Sequence, residues 1–449
     1  MPTQHSPFID IFCRVIDNYG DIGVCWRFAK DLHHILHTYT TQHNKYTNKS
    51  LLHTLFHPDT HQAHPIRLWV DDLQSFAKIE PELKHYIDAL PRDSNSSPIC
   101  TYIKGIEIRH WQAAAMNAWL HDPQTPLIPA PVVIEAFGTD LDDAFIQAMR
   151  GHTHYWFNLE YLSAEDWVEG FHGQASPQAN GVPKYFFFPG FTDKTGGLIR
   201  EEGLITRLDA FSSSAKTAWL AHHISPHVAK AYQEGARFIH LFCYPSAPFA
   251  SLVEALCEIY AIDKRPTVLL LAHGVLPNAE DLCHEYRQQS HADIRLARFA
   301  FMPQEQFDYL LQVADINIIR GEDSFVRAIW SGKPFIWHIY EQQEDTHFDK
   351  LNAWLNSSPR VHPLTQLQQD WNRYAAWNNP AIKPAPIEQA TQEKQKLHQH
   401  LKAQWMTLLN PTNEAQWQQL CTFHLNYREN LRKNPTLSFS LLNFQAKQI

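Results

Sequence analysis

The sequence predicts an α/β protein made of two doubly wound units, and three observations predict it. Short apolar strands alternate with helical patterns twice, first from Phe8 to Leu159 and again from Arg237 to Ile339. At 449 residues the chain is too long for one ordinary core and suits two domains of roughly 150–200 residues. Apolar residues make up 44% of it and charged residues 19%, the balance of a folded chain.

The elements follow in order. Phe8 to Ile16 is an apolar, β-rich run that stops at Asp17, and Gly23 to Leu36 carries Val24, Phe28, Leu32 and Leu36 at helical spacing. Residues 38 to 65 are polar and histidine-rich and read as a surface insertion. Ile66 to Val70 is a strand ending at Asp71-Asp72, followed by a short helix; Pro131 to Phe137 is a strand ending at Gly138, and His154 to Leu159 is a strand before Glu160. Gly170 to Gly197 is rich in Gly and Pro, and helical patterns follow near Ala215 to Gln233.

The second series begins with a strand from Arg237 to Tyr244 and a helix from Ala250 to Tyr260. Strands follow at Pro266 to Ala272, Asp315 to Ile319 and Pro334 to Ile339, with helices at Gln306 to Val313 and Asp323 to Trp330. The expected organisation is an N-terminal lobe over 1–233, a C-terminal lobe over 234–415, and a helical segment over 416–449 that packs back on the first lobe.

Bulk chemistry narrows the function classes. A formal net charge of −9 gives no general attraction for nucleic acid or anionic lipid. Seven scattered cysteines without C-x-x-C spacing argue against a disulfide framework and a thiolate zinc site, and for a reducing compartment. There is no basic start followed by a long apolar run, and no apolar stretch of the ~18 residues a membrane span needs, so a cytoplasmic protein is expected. The 28 histidines lack the carboxylate or cysteine partners of a metal site and read as solvated polar residues.

In doubly wound sheets ligands sit beyond the carboxyl ends of the strands, and three strand-end motifs stand there. The first is Asp17-Asn18-Tyr19-Gly20-Asp21-Ile22-Gly23. It places two carboxylates four apart at a helix start, where Asp21 serves equally as an N-cap and Asp17 as a turn residue. It lacks G-x-G-x-x-G, so a dinucleotide site is not supported. The second is Arg320-Gly321-Glu322-Asp323-Ser324-Phe325. Free N–H groups at a helix start, the Ser324 hydroxyl and the Arg320 fork suit a phosphate. Glu322 suits sugar hydroxyls. A plain helix cap with an exposed salt bridge is the alternative. The third is aromatic: Phe242, Tyr244, Phe301 and Tyr340 read either as core or as walls around a planar base, whose edge Gln304 would read.

Longer segments carry a resemblance. They include Leu68-Trp69-Val70-Asp71-Asp72-Leu73, Val133-Ile134-Glu135-Ala136-Phe137-Gly138, the run from Asn158 to Trp167, Lys184 to Phe191, Leu241 to Tyr244, Arg320 to Arg327, and Gly332 to Tyr340. With the acidic loop, they resemble the bacterial arginine rhamnosyltransferases that modify elongation factor P, over most of the chain. The resemblance implies a GT-B architecture, two Rossmann-like lobes facing a cleft with the donor on the C-terminal one. It implies inverting transfer of rhamnose from dTDP-β-L-rhamnose to an arginine of elongation factor P, with no cofactor and no required metal. It further implies that Phe242, Tyr244, Phe301, Gln304 and Tyr340 surround the thymidine part. Arg320, Asp323 and Ser324 would hold the diphosphate, with Glu322 near ribose or rhamnose. Asp17 and Asp21 would face the acceptor, and with Glu322 they form the catalytic set. The 38–65 insertion and the histidine abundance depart from the family pattern. A nucleotide-sugar epimerase, a glycosyltransferase with another acceptor, and a non-catalytic binder of the translation factor remain as other readings.

Overall fold

The computed structural model describes residues 7–16, 19–42, 50–56, 65–88, 100–357, 362–379 and 387–445. They form two compact units, one of Met1–Glu202 with Lys433–Ile449 and the other of Gly203–Arg432.

The first unit is built on strands β1 (Ile9–Cys13), β2 (Ile66–Val70), β3 (Cys100–Ile103), β4 (Ile106–His110), β5 (Val132–Ala136), β6 (Tyr155–Leu159), β7 (Ala175–Ser176) and β8 (Lys184–Phe187). Their order across the sheet is β3-β4-β2-β1-β5-β6-β8-β7. The six inner strands are parallel, while β3 and β7 run antiparallel at the edges. Parallel strands are covered on both faces, and β1 shows how. Ile9, Ile11 and Cys13 enter one core and Phe12 the other. Asp10 is buried beside Phe12, where Arg67 donates to it twice, at 2.6 and 2.8 Å, and Trp69 Nε1 once, at 3.0 Å.

The second unit carries β9 (Arg237–Leu241), β10 (Thr267–Ala272), β11 (Ile294–Phe299), β12 (Ile316–Arg320) and β13 (Phe335–His338). Their order is β11-β10-β9-β12-β13, all parallel. Both sheets are therefore Rossmann-like, and the chain has the pair of α/β lobes of the GT-B class. In each sheet the chain order reverses beside the first strand, between β1 and β5 and between β9 and β12. Ligands bind beyond the strand ends at such switch points.

Several expectations change. β1 stops at Cys13 instead of Ile16, because the next three backbone N–H groups bond to side chains instead of a neighbouring strand. The first helix is Gly20–Gln42, so it begins ahead of Asp21 and Asp21 is not its N-cap. The insertion is more than surface: Leu51–Leu55 is helical, and Leu51 and Leu52 are buried in the first core. Its residues 43–49 and 57–64 lie outside the described ones. Strands β3, β4, β7, β8 and β11 had not been expected. They are short, lie at or near sheet edges, or carry charges such as Arg295 and Arg298.

The lobe boundary falls after Glu202, not near 233. Helices Leu204–Asp209, Ser213–His223 and Pro226–Gln233 belong to the second unit, because Trp219, Leu220, Val228, Ala229 and Ala231 pack into its core. Nor does all of 416–449 return to the first lobe. Helix Glu414–Leu431 stays with the second, where Leu420 joins the core and Arg428 pairs with Asp209 at 2.7 Å. Only the last stretch returns, with Leu437, Leu441 and Leu442 in the first core. Among the described residues no helix is long and apolar enough to cross a membrane.

Candidate active site

At the second switch point the strand ends bring one cation and two rings together. The Arg320 guanidinium, closing β12, lies 4.7 Å from the ring centroid of Phe242 and 4.7 Å from that of Tyr244, both just beyond β9. A cation held by two rings gains about 0.5–2 kcal/mol from each and keeps its fork aimed. Tyr340, beyond β13, is half exposed and meets Tyr244 edge-on at 5.8 Å. Phe307 packs edge-on against Phe242 at 6.0 Å from beneath. Two of the expected base walls are thus engaged with the expected phosphate ligand.

Helix Glu322–Ser331 starts directly after Arg320. Its N-cap is Gly321, with φ 66° and no side-chain cap. At that φ glycine avoids the strain an L side chain would meet, and no N-cap side chain covers the backbone N–H groups of the first turn. Trp337 Nε1 donates to Gly321 O at 3.1 Å and stacks on Phe325 with centroids 4.0 Å apart, which fixes the turn. Ser324 is buried in that first turn. Glu322 is held by Lys350 at 2.6 Å. A lone carboxylate here would repel a diphosphate, and Lys350 offsets its charge. Gln304 Nε2 reaches Asp323 Oδ2 at 3.4 Å, joining the base-reading and phosphate-holding sides. Phe301 lies three residues before Gln304, partly exposed.

Sequence reasoning missed the support beneath Tyr244. His338 Nδ1 accepts the Tyr244 backbone N–H at 3.4 Å, which leaves Nε2–H to donate to Glu341 at 3.1 Å. Ser246 also donates to Glu341, and Asn379 Nδ2 does so at 2.7 Å. Burial pushes the His338 pKa below its ordinary value even with Glu341 adjacent. Burial would raise Glu341, but its bonds from His338, Ser246 and Asn379 hold it below the usual carboxylate range. Neither Lys350 nor this group has a local motif, because tertiary packing brings them in. Cys243, between Phe242 and Tyr244 in sequence, is buried, and burial pushes its thiol up to about 12.

At the first switch point three successive N–H groups after β1 are tied to side chains, two beyond neighbouring strands and one in the first turn of helix Gly20–Gln42. Arg14 donates to Thr139 Oγ1 at 3.4 Å, Val15 to Asp71 Oδ1 at 2.9 Å, and Ile16 to Asp21 Oδ2 at 2.8 Å. Asp21 is 3% exposed, so one of its oxygens shapes the loop that leads to Asp17. Asp17 itself lies outside the described residues. Asp71, which closes that loop, had not been singled out.

A cavity of about 610 Å³ lies elsewhere on the second unit, lined by residues such as Pro245, Phe249, Asn278, Asp281, Glu285 and Tyr374. Its described lining holds two carboxylates and no lysine or arginine, which disfavours a diphosphate there. Among the described residues no group of three or more His, Cys, Asp or Glu is placed to hold a metal ion.

Comparison with known proteins identifies the family of the chain. The family described as "Elongation-Factor P (EF-P) rhamnosyltransferase EarP" matches residues 9–41 and 55–445, passing over part of the insertion. A "Protein-arginine rhamnosyltransferase" from Pseudomonas putida is 39% identical over 77% of this chain and 80% of its own length. One from Pseudomonas aeruginosa is 37% identical over 82% and 86%. A solved structure described as "Structural basis for EarP-mediated arginine glycosylation of translation elongation factor EF-P" covers 97% of each chain at 22% identity, with a TM-score of 0.48.

Proposed function

This chain belongs to the elongation-factor P rhamnosyltransferase family and is a glycosyltransferase, and from that premise we propose that it transfers rhamnose from dTDP-β-L-rhamnose to an arginine of elongation factor P, with inversion. Family membership sets aside the epimerase and the non-catalytic binder. The observation that carries the donor side is Arg320, held between Phe242 and Tyr244 beside a helix start without a side-chain cap.

In this reading the first-turn N–H groups, Ser324 and Arg320 hold the diphosphate and stabilise it as it leaves. Gln304, Phe301 and Tyr340 meet the base. Glu322, neutralised by Lys350, meets hydroxyls of the ribose or the rhamnose.

The acceptor guanidinium is protonated, with a pKa above ~12, and an ordinary aspartate near ~4 cannot deprotonate it in the ground state. Asp17 and Asp21 clamp it and turn one nitrogen toward the anomeric carbon. As the N–C bond forms, the C–O bond to the diphosphate breaks, dTDP leaves, and the acidified proton passes to Asp21. General-base help of this kind contributes ~10²–10⁴-fold.

The test is intact-mass spectrometry of elongation factor P incubated with the enzyme and dTDP-rhamnose. One added deoxyhexose, absent when the acceptor arginine is changed to lysine, is the expected result. No mass change from an enzyme that demonstrably binds the donor would overturn the substrate assignment.

A further inference from the structure

The carboxyl edge of the first sheet carries an aromatic ledge that the chemistry above does not use. Tyr161, Trp167 and Phe171 are 40%, 50% and 49% exposed, although all three fall between positions 161 and 171. Large exposed rings grouped in this way mark interaction surfaces. These rings are also held in place. Tyr161 stacks on buried Phe137 with centroids 4.7 Å apart and planes 21° apart. Trp167 meets Phe188 edge-on at 5.5 Å and Phe171 at 5.9 Å. In the short helix Trp167–Phe171, Val168 enters the unit while the two rings, four residues apart, face outward. Rings fixed before binding lose little freedom when a partner arrives.

Their place in the sheet ties them to the acidic loop. β1, β5, β6 and β8 are consecutive parallel strands, so their carboxyl ends share one edge. With neighbouring strands about 4.8 Å apart, the end of β6 lies about 10 Å and the end of β8 about 14 Å from the end of β1. The ledge follows β6 and precedes β8. It therefore lies two to three strand spacings from the end of β1, within reach of one docked protein.

Its charge selects the partner. Residues 160–172 contain Glu160, Glu165, Asp166 and Glu169 and no lysine or arginine. Nearby Lys194 pairs with Glu169 at 2.8 Å and offsets that one carboxylate, while Lys184 pairs with Glu135 at 2.7 Å, so the segment stays acidic. Exposed rings among carboxylates favour lysine and arginine side chains, through cation–π contact and complementary charge.

We propose that this ledge is the docking surface for a basic, folded protein acceptor, seating it so that its arginine reaches the Asp21 loop. The inference rests on the protein-arginine reading above and adds where the acceptor is held.

The test compares wild type with Trp167→Ala, Phe171→Ala and the conservative Trp167→Phe. Readouts are direct binding of elongation factor P, its rhamnosylation kinetics by intact mass, and dTDP-rhamnose binding by calorimetry. The alanine variants should raise Kd and KM for the factor about tenfold or more, leave kcat within about twofold, and leave donor affinity unchanged. Trp167→Phe should recover most of the loss. Unchanged acceptor Kd and KM would overturn the ledge alone, as would a joint fall of kcat and donor affinity. A wild-type enzyme that binds dTDP-rhamnose but neither binds nor modifies the factor would overturn the functional reading, and the ledge with it.

Discussion

Arg327 donates to both carboxylate oxygens of Asp308, at 2.8 and 2.7 Å, and both side chains are almost wholly buried. The pair joins helix Glu322–Ser331, which opens the candidate phosphate site, to helix Gln304–Val313, which opens with the candidate base reader. A bidentate buried pair is geometrically strict, and removing one partner leaves a buried charge alone. Asp308→Ala should therefore cost about 3–5 kcal/mol of stability, read as a lower urea midpoint. It should also weaken dTDP-rhamnose binding although Asp308 need not touch the donor. Unchanged donor affinity in folded protein would break the proposed link between the two helices.

Arg320→Lys keeps the charge and removes the planar fork. A lysine cannot present two parallel N–H groups to a phosphate while lying against two rings. Donor affinity should fall about tenfold or more, about 1.4 kcal/mol per decade, as measured by calorimetry. Phe242→Ala should act in the same direction by freeing the guanidinium. If Arg320→Lys bound the donor as wild type does, Arg320 would serve the fold and not the diphosphate.

The sheets were legible because parallel strands buried on both faces read as nearly continuous apolar runs, as Val268–Ala272 does. Strand β8 was not, since its four residues, within the five between Pro183 and Pro189, give too short a pattern. The lobe boundary was misplaced because the helices from Leu204 to Gln233 carry nothing local that says which sheet they cover; Trp219 and Leu220 decide it by packing. In the site, Arg320 and Gly321 stood out because strand end, glycine and helix start are local signals. Lys350 and Glu341 did not, because each reaches the site only after folding, from the segments that follow β13.

Acid should destabilise the second unit well above the range where carboxylates titrate. Burial pushes His240 down to about 4 and His362 to about 3, and it also lowers His338 and His424. The folded state keeps these imidazoles neutral while the unfolded chain protonates them near 6.5. Below about pH 6.5 the unfolded state therefore binds more protons, and stability falls as pH falls, by up to about 1.4 kcal/mol per unit for each group. Glu341, held below the usual carboxylate range, stabilises the fold above about pH 4.5 and loses that contribution on further acidification. Urea midpoints should drop steadily from pH 7 to 5, and His362→Gln should show a shallower slope whatever its stability at pH 7. A flat profile over that range would contradict the neutral buried histidines.

The Asp21 carboxylate has two duties in the proposed reaction, and they can be separated. Its Oδ2 accepts the Ile16 N–H, and its charge receives the proton of the acceptor arginine. Asp21→Asn keeps an oxygen that can accept the Ile16 N–H and removes the base. Its kcat for rhamnosyl transfer should fall ~10²–10⁴-fold, with dTDP-rhamnose affinity within about twofold of wild type. Asp21→Ala removes the loop contact as well and should also raise KM for the acceptor protein. Wild-type kcat in Asp21→Asn, or loss of donor binding in it, would move the base to another residue and leave Asp21 as an anchor of the loop after β1.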